Sequence, residues 1–219
     1  MGARLSPAGR EPLVLASASP RRWQIMLSLG LPFVVRSGAV DESSLAGEDP
    51  AAMVQRLAEA KAHRVASSAA ERFVVGADTV VVLDGAHLGK PADGAEAESM
   101  LRNLRGREHS VVSGVAVLDR VGGRRAVGAL STRVWMRDYG DDELARYVAT
   151  GEPLDKAGGY AIQDHNFRPV ARLEGCYLNV VGLPLCLLLD LLWEAGVDVA
   201  PPEPTRVRRL CPHCLLQPR

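Results

Sequence analysis

Apolar positions along the chain follow two patterns, short β-branched runs and longer stretches with an apolar residue every three or four positions. The short runs are typical of buried strands, and the longer periodicity is typical of amphipathic helices. Strands are therefore predicted at 13–16 and 33–35. A helix is predicted to begin at Pro20, because Ser19 before it is a suitable N-cap, and a second helix to extend from 50 to about 70.

The second half of the chain is richer in strand signals. Residues 72–83 predict a long strand that is interrupted around Gly76-Ala77-Asp78 and ends in the hairpin turn Asp84-Gly85. Further strands are predicted at 110–118, 126–136 and 160–162, and further helices at 95–104, 141–149 and 183–194. Hairpins pair antiparallel, whereas strand–helix–strand units favour parallel pairing. The fold class is therefore predicted to be α/β with a mixed sheet.

Composition and charge narrow the possible partners. The 219 residues are 47% hydrophobic, and 26 basic side chains balance 26 acidic ones. With no net charge, the chain has no global field that attracts nucleic acid or an anionic membrane, so a site for a polyanion must be a local cluster. No run of residues is long and apolar enough for a membrane span or a signal peptide. A cytoplasmic protein without nucleic-acid or membrane partners is expected.

The pattern predicts one domain over 13–200, with an N-terminal extension at 1–12 and a tail at 201–219. The tail is rich in proline and arginine and is predicted to be disordered. An alternative is a zinc or nucleic-acid module built on Cys211, His213 and Cys214. Two thiolates and one imidazole are fewer ligands than the four of a closed structural zinc site, so the disordered tail is preferred.

The turn between the first strand and the first helix carries the strongest chemical signal. Ser17, Ser19, Arg21 and Arg22 surround the helix start. The N-terminus of a helix offers free N–H groups and a positive dipole end to phosphate, and arginine forks bind phosphate oxygens. The alternative is an ordinary capped helix with two arginines in solvent.

A second set of candidate residues is scattered along the chain. Asp78 and Thr79 lie between two apolar segments, where a carboxylate is costly unless it is paired, hydrogen-bonded or bound to metal. Lys61, Lys90 and Glu42 carry further charges. Each of them taken alone is compatible with an ordinary turn or surface residue.

The order of these segments resembles the Maf family. The matching segments cover about residues 13–195: Ser17–Arg22, Val40–Glu42, Ala58–Ala62, Gly76–Val80, Leu88–Pro91, Gly106-Arg107 with His109, Thr150–Pro153, Asp155–Gln163 and Asn179–Pro184. Chance does not explain so many matches in succession.

The resemblance implies an elongated mixed sheet with flanking helices and two lobes around a substrate cleft, a fold shared with inosine triphosphatases, and usually a homodimer. It implies hydrolysis of a nucleoside triphosphate to the monophosphate and pyrophosphate with Mg²⁺ or Mn²⁺. By motif, the catalytic residues are Asp78, Glu42, Lys61 and Lys90, and the metal lies near Glu42 and Asp78. Asp78 resembles the catalytic base, and a role chiefly as a metal ligand is the alternative. The substrate contacts by motif are Ser17, Ser19, Arg21, Arg22, Thr79 and Gln163.

The trio Arg21, Thr79 and Gln163 resembles the branch of the family that acts on dTTP and UTP. Two positions depart from the family pattern: Asp164-His165-Asn166 follows Gln163 where glycine is usual, and Ser113 stands in place of threonine. A regulator that binds nucleotides without catalysis is the alternative of another class. It would not need the full set of carboxylates and lysines, all of which are present.

Overall fold

The computed structural model describes residues 11–199. The predicted tail with its cysteine pair, and most of the predicted N-terminal extension, lie outside the described residues. Within them, one sheet has seven strands in the order β2-β1-β3-β5-β6-β7, with β4 paired to β3. The strands are β1 (Leu13–Ala16), β2 (Phe33–Arg36), β3 (Phe73–Leu83), β4 (Ala86–Leu88), β5 (Glu108–Asp119), β6 (Arg125–Met136) and β7 (Val170–Glu174).

The sheet is mixed, as predicted. β1 runs parallel to β2 and β3, and the other pairings are antiparallel. The helices are α1 (Pro20–Ser28), α2 (Pro50–Ala66), α3 (Gly94–Leu104), α4 (Asp141–Ala149), α5 (Tyr177–Val181) and α6 (Leu185–Glu194), with 3₁₀ turns at Glu152–Asp155 and Ala157–Gly159. Between residues 11 and 199, no helix has the length and apolarity that crossing a membrane requires.

The helices cover both faces of the sheet, and strand alternation divides the core between them. Leu13 and Leu15 of β1 pack with α1, α5 and α6, whereas Val14 and Ala16 pack with α2. A separate cluster joins α3 and α4 to the end of β3, the start of β5 and the end of β6. These clusters form the two lobes that the fold prediction expected.

Two strand predictions were wrong. β3 is continuous through Gly76-Ala77-Asp78, because the glycine there allows close approach of α2 rather than a break. No strand forms at 160–162: positive φ angles at Gly158 and Gly159 turn the chain, and the Ala161 N–H donates to the Tyr147 hydroxyl instead of a strand.

The ends of two helices also differ from prediction. α2 ends at Ala66 because the hydroxyls of Ser67 and Ser68 donate to carbonyl oxygens of its last turn. The last helix begins at Leu185, since Pro184 takes the cap position, and the short helix α5 and strand β7 were missed.

A gap in the strand pairing locates the cleft. One edge of β3 is covered by β5, while the opposite edge pairs with β1 at 74–76 and with β4 at 81–83. Residues 77–80 lie between these two pairings. β1 ends there at Ala16, and ligands of α/β sheets commonly bind beyond the carboxyl ends of strands. The gap therefore leaves a site that residues on both faces of β3 line.

Candidate active site

A cleft of about 470 Å³ opens at this gap. Its lining includes all ten residues that the sequence singled out: Ser17, Ser19, Arg21, Arg22, Glu42, Lys61, Asp78, Thr79, Lys90 and Gln163. They come from separate segments of the chain, so the fold brings together what the sequence scatters.

Lys61 connects the two candidate carboxylates. Its Nζ lies 2.5 Å from Glu42 Oε1 and 2.6 Å from Asp78 Oδ1, and Asp78 is buried. Burial opposes ionisation of Glu42. The hydrogen bond and charge of Lys61, aided by Lys90 and Arg22, outweigh that cost and hold the pKa of Glu42 below its usual range. The cluster therefore keeps a carboxylate ionised beside a lysine in a partly buried site.

Close packing of α2 on the sheet allows this contact. A Cβ on Gly76 would lie 2.0 Å from the Ala58 carbonyl oxygen, and one on Gly114 would lie 2.3 Å from that of Val54. Only glycine fits at such distances, so the backbone of α2 rests on the strands. Lys61, one turn beyond Ala58, is thereby brought to Asp78.

The loop that carries Glu42 is fastened to the same helix. The Arg56 guanidinium binds the Glu48 carboxylate at 2.6 and 2.7 Å and donates to the Ser43 carbonyl oxygen at 3.1 Å. Glu48 also accepts from the Leu45 N–H at 3.1 Å. Sequence patterns gave no sign of this clamp.

Arg22 is held among neutral oxygens. Its Nε donates to the Gly182 carbonyl oxygen at 2.8 Å, Nη1 to Ser17 Oγ at 3.3 Å and Nη2 to Thr79 Oγ1 at 3.1 Å. Burial lowers the pKa of Arg22, and the charge of Asp78 opposes that effect. The guanidinium remains charged, because arginine keeps its proton in proteins.

Thr79 and Ser19 support this arrangement. Thr79 Oγ1 lies 2.8 Å from Ser113 Oγ, which donates to the Asn179 carbonyl oxygen at 2.9 Å. Ser113, the departure from the family's threonine, keeps the hydroxyl that this chain of hydrogen bonds needs. Ser19 acts as the predicted N-cap, with its Oγ accepting from the Arg22 N–H at 3.4 Å.

Arg21 turns to a different partner. Its Nη1 lies 3.3 Å from Asp155 Oδ2, and its Nη2 donates to the Asp155 carbonyl oxygen at 3.3 Å. Asp155 Oδ1 accepts from Lys156 Nζ at 2.6 Å, and the buried Lys156 also bonds Glu152 Oε2 at 2.8 Å. Sequence reasoning included Asp155 and Lys156 only as part of a motif and assigned them no role.

Gln163 lies in a segment that internal hydrogen bonds hold on both sides of it. Tyr160 lines the cleft, and its hydroxyl lies 2.6 Å from Nε2 of the buried His109. Burial lowers the pKa of His109 to about 4, so the ring is neutral at pH 7. Asp164, in place of the usual glycine, accepts from the backbone N–H groups of Asn166 and Phe167 at 2.9 and 2.6 Å. The departure from the family pattern thus closes the turn beside Gln163.

The carboxylates fit a metal ion that also binds substrate. Among residues 11–199, no three or more histidine, cysteine or acidic side chains form a metal-binding group. Glu42 and Asp78 supply two carboxylates in the cleft. Mg²⁺ is commonly bound by one or two carboxylates together with phosphate oxygens, so this donor set fits an ion shared with a triphosphate.

Comparison with known proteins gives consistent matches over this region. The family described as Maf-like protein matches residues 12–195. The chain is 49% identical over 187 residues to a dTTP/UTP pyrophosphatase of Pelotomaculum thermopropionicum, covering 85% of this chain and 98% of that protein. Proteins of the same name from Geotalea uraniireducens (49%, 84% of this chain, 95% of theirs) and Thermomicrobium roseum (47%, 94% of each) are similar to it as well.

Proposed function

The chain belongs to the Maf family, and from this premise we propose that it hydrolyses dTTP and UTP to the nucleoside monophosphate and pyrophosphate. The observation that carries the proposal is the position of Lys61 between Glu42 and Asp78 in the cleft that Arg22 also lines. Paired carboxylates and unneutralised cations in one cleft suit a polyphosphate, a metal ion and a water molecule.

Binding of the triphosphate rests on the cations. Arg22, Lys61 and Lys90 line the cleft with the start of α1, where the positive end of the helix dipole favours phosphate. Their charges screen repulsion within the phosphate chain and stabilise the departing pyrophosphate. Arg22 keeps its charge available because its hydrogen-bond partners are neutral oxygens.

Asp78 serves as the base for the attacking water. Among the described residues, its hydrogen bond from Lys61 goes to Oδ1, which leaves Oδ2 to accept a proton. The water oxygen bonds the α-phosphorus, the bond to the oxygen bridging the α- and β-phosphorus breaks, and pyrophosphate leaves with that oxygen. General base catalysis of this kind contributes about 10²- to 10⁴-fold.

Glu42 and Asp78 would hold Mg²⁺ or Mn²⁺. When bound, the ion would neutralise negative charge on the phosphate oxygens. Lys61 engages both carboxylates in this structure, and its ammonium would be free to contact the phosphates if the carboxylates held a cation.

Base selection is assigned to Arg21, Thr79 and Gln163. A glutamine amide has both a donor and an acceptor, which match the N3–H and the neighbouring carbonyl of uracil or thymine. A purine would leave buried polar groups unpaired, at about 1–3 kcal/mol each. Thr79 acts through Arg22, to which it is hydrogen-bonded.

Three further features belong to the proposal. A homodimer rests on the family resemblance, whereas a cytoplasmic location and a catalytic domain over 13–200 without nucleic-acid or membrane partners rest on composition, charge and sequence pattern. Analytical ultracentrifugation of the full chain measures the oligomeric state. A monomer at micromolar concentration would contradict the dimer.

Phosphorus NMR of a UTP digest tests the reaction. The expected products are UMP and pyrophosphate, formed with Mg²⁺ or Mn²⁺ and not after chelation of the metal. Formation of UDP and phosphate would mean that the cleft holds the phosphate chain in another register, and the proposal would fail. A parallel screen with GTP and ATP measures selectivity by kcat/KM.

A further inference from the structure

The two arginines at the start of α1 are adjacent in sequence and opposite in electrostatic environment. Arg22 donates to neutral oxygens, whereas the side chain of Arg21, within residues 11–199, donates only to Asp155. Successive helix residues point about 100° apart, which separates the two side chains. One guanidinium therefore keeps its charge for an anion, and the other has its charge balanced by a carboxylate.

The position of Asp155 is itself determined by a buried lysine. Lys156 Nζ binds Asp155 Oδ1 at 2.6 Å, while Glu152 Oε2 holds the same ammonium at 2.8 Å. With Oδ1 engaged, Asp155 presents Oδ2 and its carbonyl oxygen to the two terminal nitrogens of Arg21. These two acceptors match the flat fork of the guanidinium and fix its orientation.

Stability does not account for this contact. Both Arg21–Asp155 distances are 3.3 Å, and the Asp155 side chain is 61% exposed. Exposed ion pairs of this kind contribute roughly 0–1 kcal/mol to folding. The Arg21 side chain, in contrast, is only 25% exposed and lines the cleft together with Asp155 and Gln163.

We propose that Asp155 is a positioning residue for base selection. It holds Arg21 away from the phosphate chain and directs its remaining N–H groups to the uracil or thymine ring. Without Asp155, the long Arg21 side chain would be drawn to the triphosphate beside Arg22, where it would bind every nucleotide alike. This inference rests on the proposed function and assigns selectivity to a pair of residues rather than to Arg21 alone.

The test compares Asp155→Asn with wild type on UTP and GTP. The variant keeps the side-chain volume and removes the charge. The ratio of kcat/KM for UTP to that for GTP should fall about tenfold, chiefly through a higher KM for UTP, with kcat on GTP unchanged or raised. Asp155→Glu, which keeps the charge, should restore part of the ratio and serves if Asp155→Asn folds poorly.

A double-mutant cycle separates positioning from other roles. If Asp155 acts through Arg21, adding Asp155→Asn to Arg21→Ala should not lower the ratio further. Asp84→Asn is the matched control: it makes the same chemical change at an exposed hairpin turn that does not line the cleft, and its ratio should equal that of wild type.

An unchanged ratio in Asp155→Asn, or additive losses in the cycle, would overturn the inference. In both cases wild type would still release pyrophosphate from UTP. Absence of pyrophosphate release from every triphosphate would instead contradict the proposed function.

Discussion

The two residues at the centre of the proposed catalytic site lie on long regular elements, whereas the residues assigned to base selection depend in part on loops. The catalytic group consists of Glu42, Lys61, Asp78 and Lys90. Of these, Asp78 lies on the long strand β3 and Lys61 on the long helix α2. The selective group consists of Arg21, Thr79 and Gln163. Within the segment 152–167, Arg21 binds Asp155 of the 3₁₀ turns, and Gln163 lies in the loop that follows them. Reactive groups need fixed distances, which regular elements supply, whereas loops tolerate variation in a binding surface.

The two groups also differ in how their charges are compensated. In the catalytic group a single ammonium is shared by two carboxylates. In the selective group the arginine has its own carboxylate, which a second lysine holds. Perturbing the first group should therefore change turnover of all substrates, and perturbing the second should change their ranking.

The largest effect is expected for Asp78→Asn. Loss of the base should lower kcat at least about 10²-fold on UTP and on GTP alike, with the ratio between the substrates retained. Steady-state kinetics with purified protein measures both quantities. Asp84→Asn makes the same chemical change at a hairpin turn, where φ is 51° and asparagine is tolerated, and should leave kcat unchanged. More than about a tenth of wild-type kcat in Asp78→Asn would contradict the assignment of the base.

Gln163→Glu should have the next largest effect and the opposite pattern. A carboxylate lacks the amide N–H and cannot donate to a uracil carbonyl, so kcat/KM for UTP should fall roughly tenfold to a hundredfold. The fall for GTP should be much smaller. Equal losses on both substrates would indicate that Gln163 only stabilises its turn.

Lys61→Met should change metal binding in the absence of nucleotide. Removal of the ammonium frees Glu42 and Asp78, and the affinity for Mn²⁺, measured by electron paramagnetic resonance, should rise by at least about tenfold. Adding Glu42→Gln should abolish the gain. An unchanged Mn²⁺ affinity would show that these carboxylates do not form the ion site.

The last prediction concerns the pH dependence of stability, rather than activity, near the selective group. The folded-state pKa of His109 is about 4, below the ordinary value of 6.5, so the unfolded chain binds the proton more tightly. Stability from this group is therefore full above pH 6.5 and is lost as pH falls toward 4, by up to about 3 kcal/mol. Urea unfolding from pH 7.5 to 5 measures the slope.

The variants His109→Gln and His63→Gln separate this effect from other titrations. His109→Gln should flatten the dependence of the unfolding free energy on pH. The exposed His63 is the matched control, and its replacement should leave the slope as in wild type. Equal slopes in all three proteins would rule out His109 as the source.

Local patterns predicted the mixed fold, whereas the membership of the cleft was predicted from the resemblance to the Maf family. Apolar periodicity identified the strands, and the motifs identified residues such as Asp78 and Gln163 that meet in the cleft. The prediction failed where a residue's role depends on a distant partner. Arg21 and Asp155 are 134 positions apart, and no local pattern indicates that they meet.

The wrong interruption of β3 has a similar cause. In the sequence, Gly76 indicates a break in the strand. In the structure it makes room for Ala58 of α2, and this tertiary contact leaves no local sequence signal. The segment at 160–162 looks like a strand because Tyr160 and Ile162 favour one, yet the Tyr160–His109 contact and the glycines before it impose a turn. Tertiary packing outweighs local propensity at both places.

The close packing of α2 against Gly76 and Gly114 has a consequence for protein engineering. The spacing between Lys61 and Asp78 is determined by contact between main chains, so randomising side chains elsewhere leaves the reactive geometry in place. A library that varies residues 152–165 would search for new nucleotide specificities at constant chemistry. A library that includes either glycine would lose most of its members, because any larger residue there separates the helix that carries Lys61 from the strand that carries Asp78.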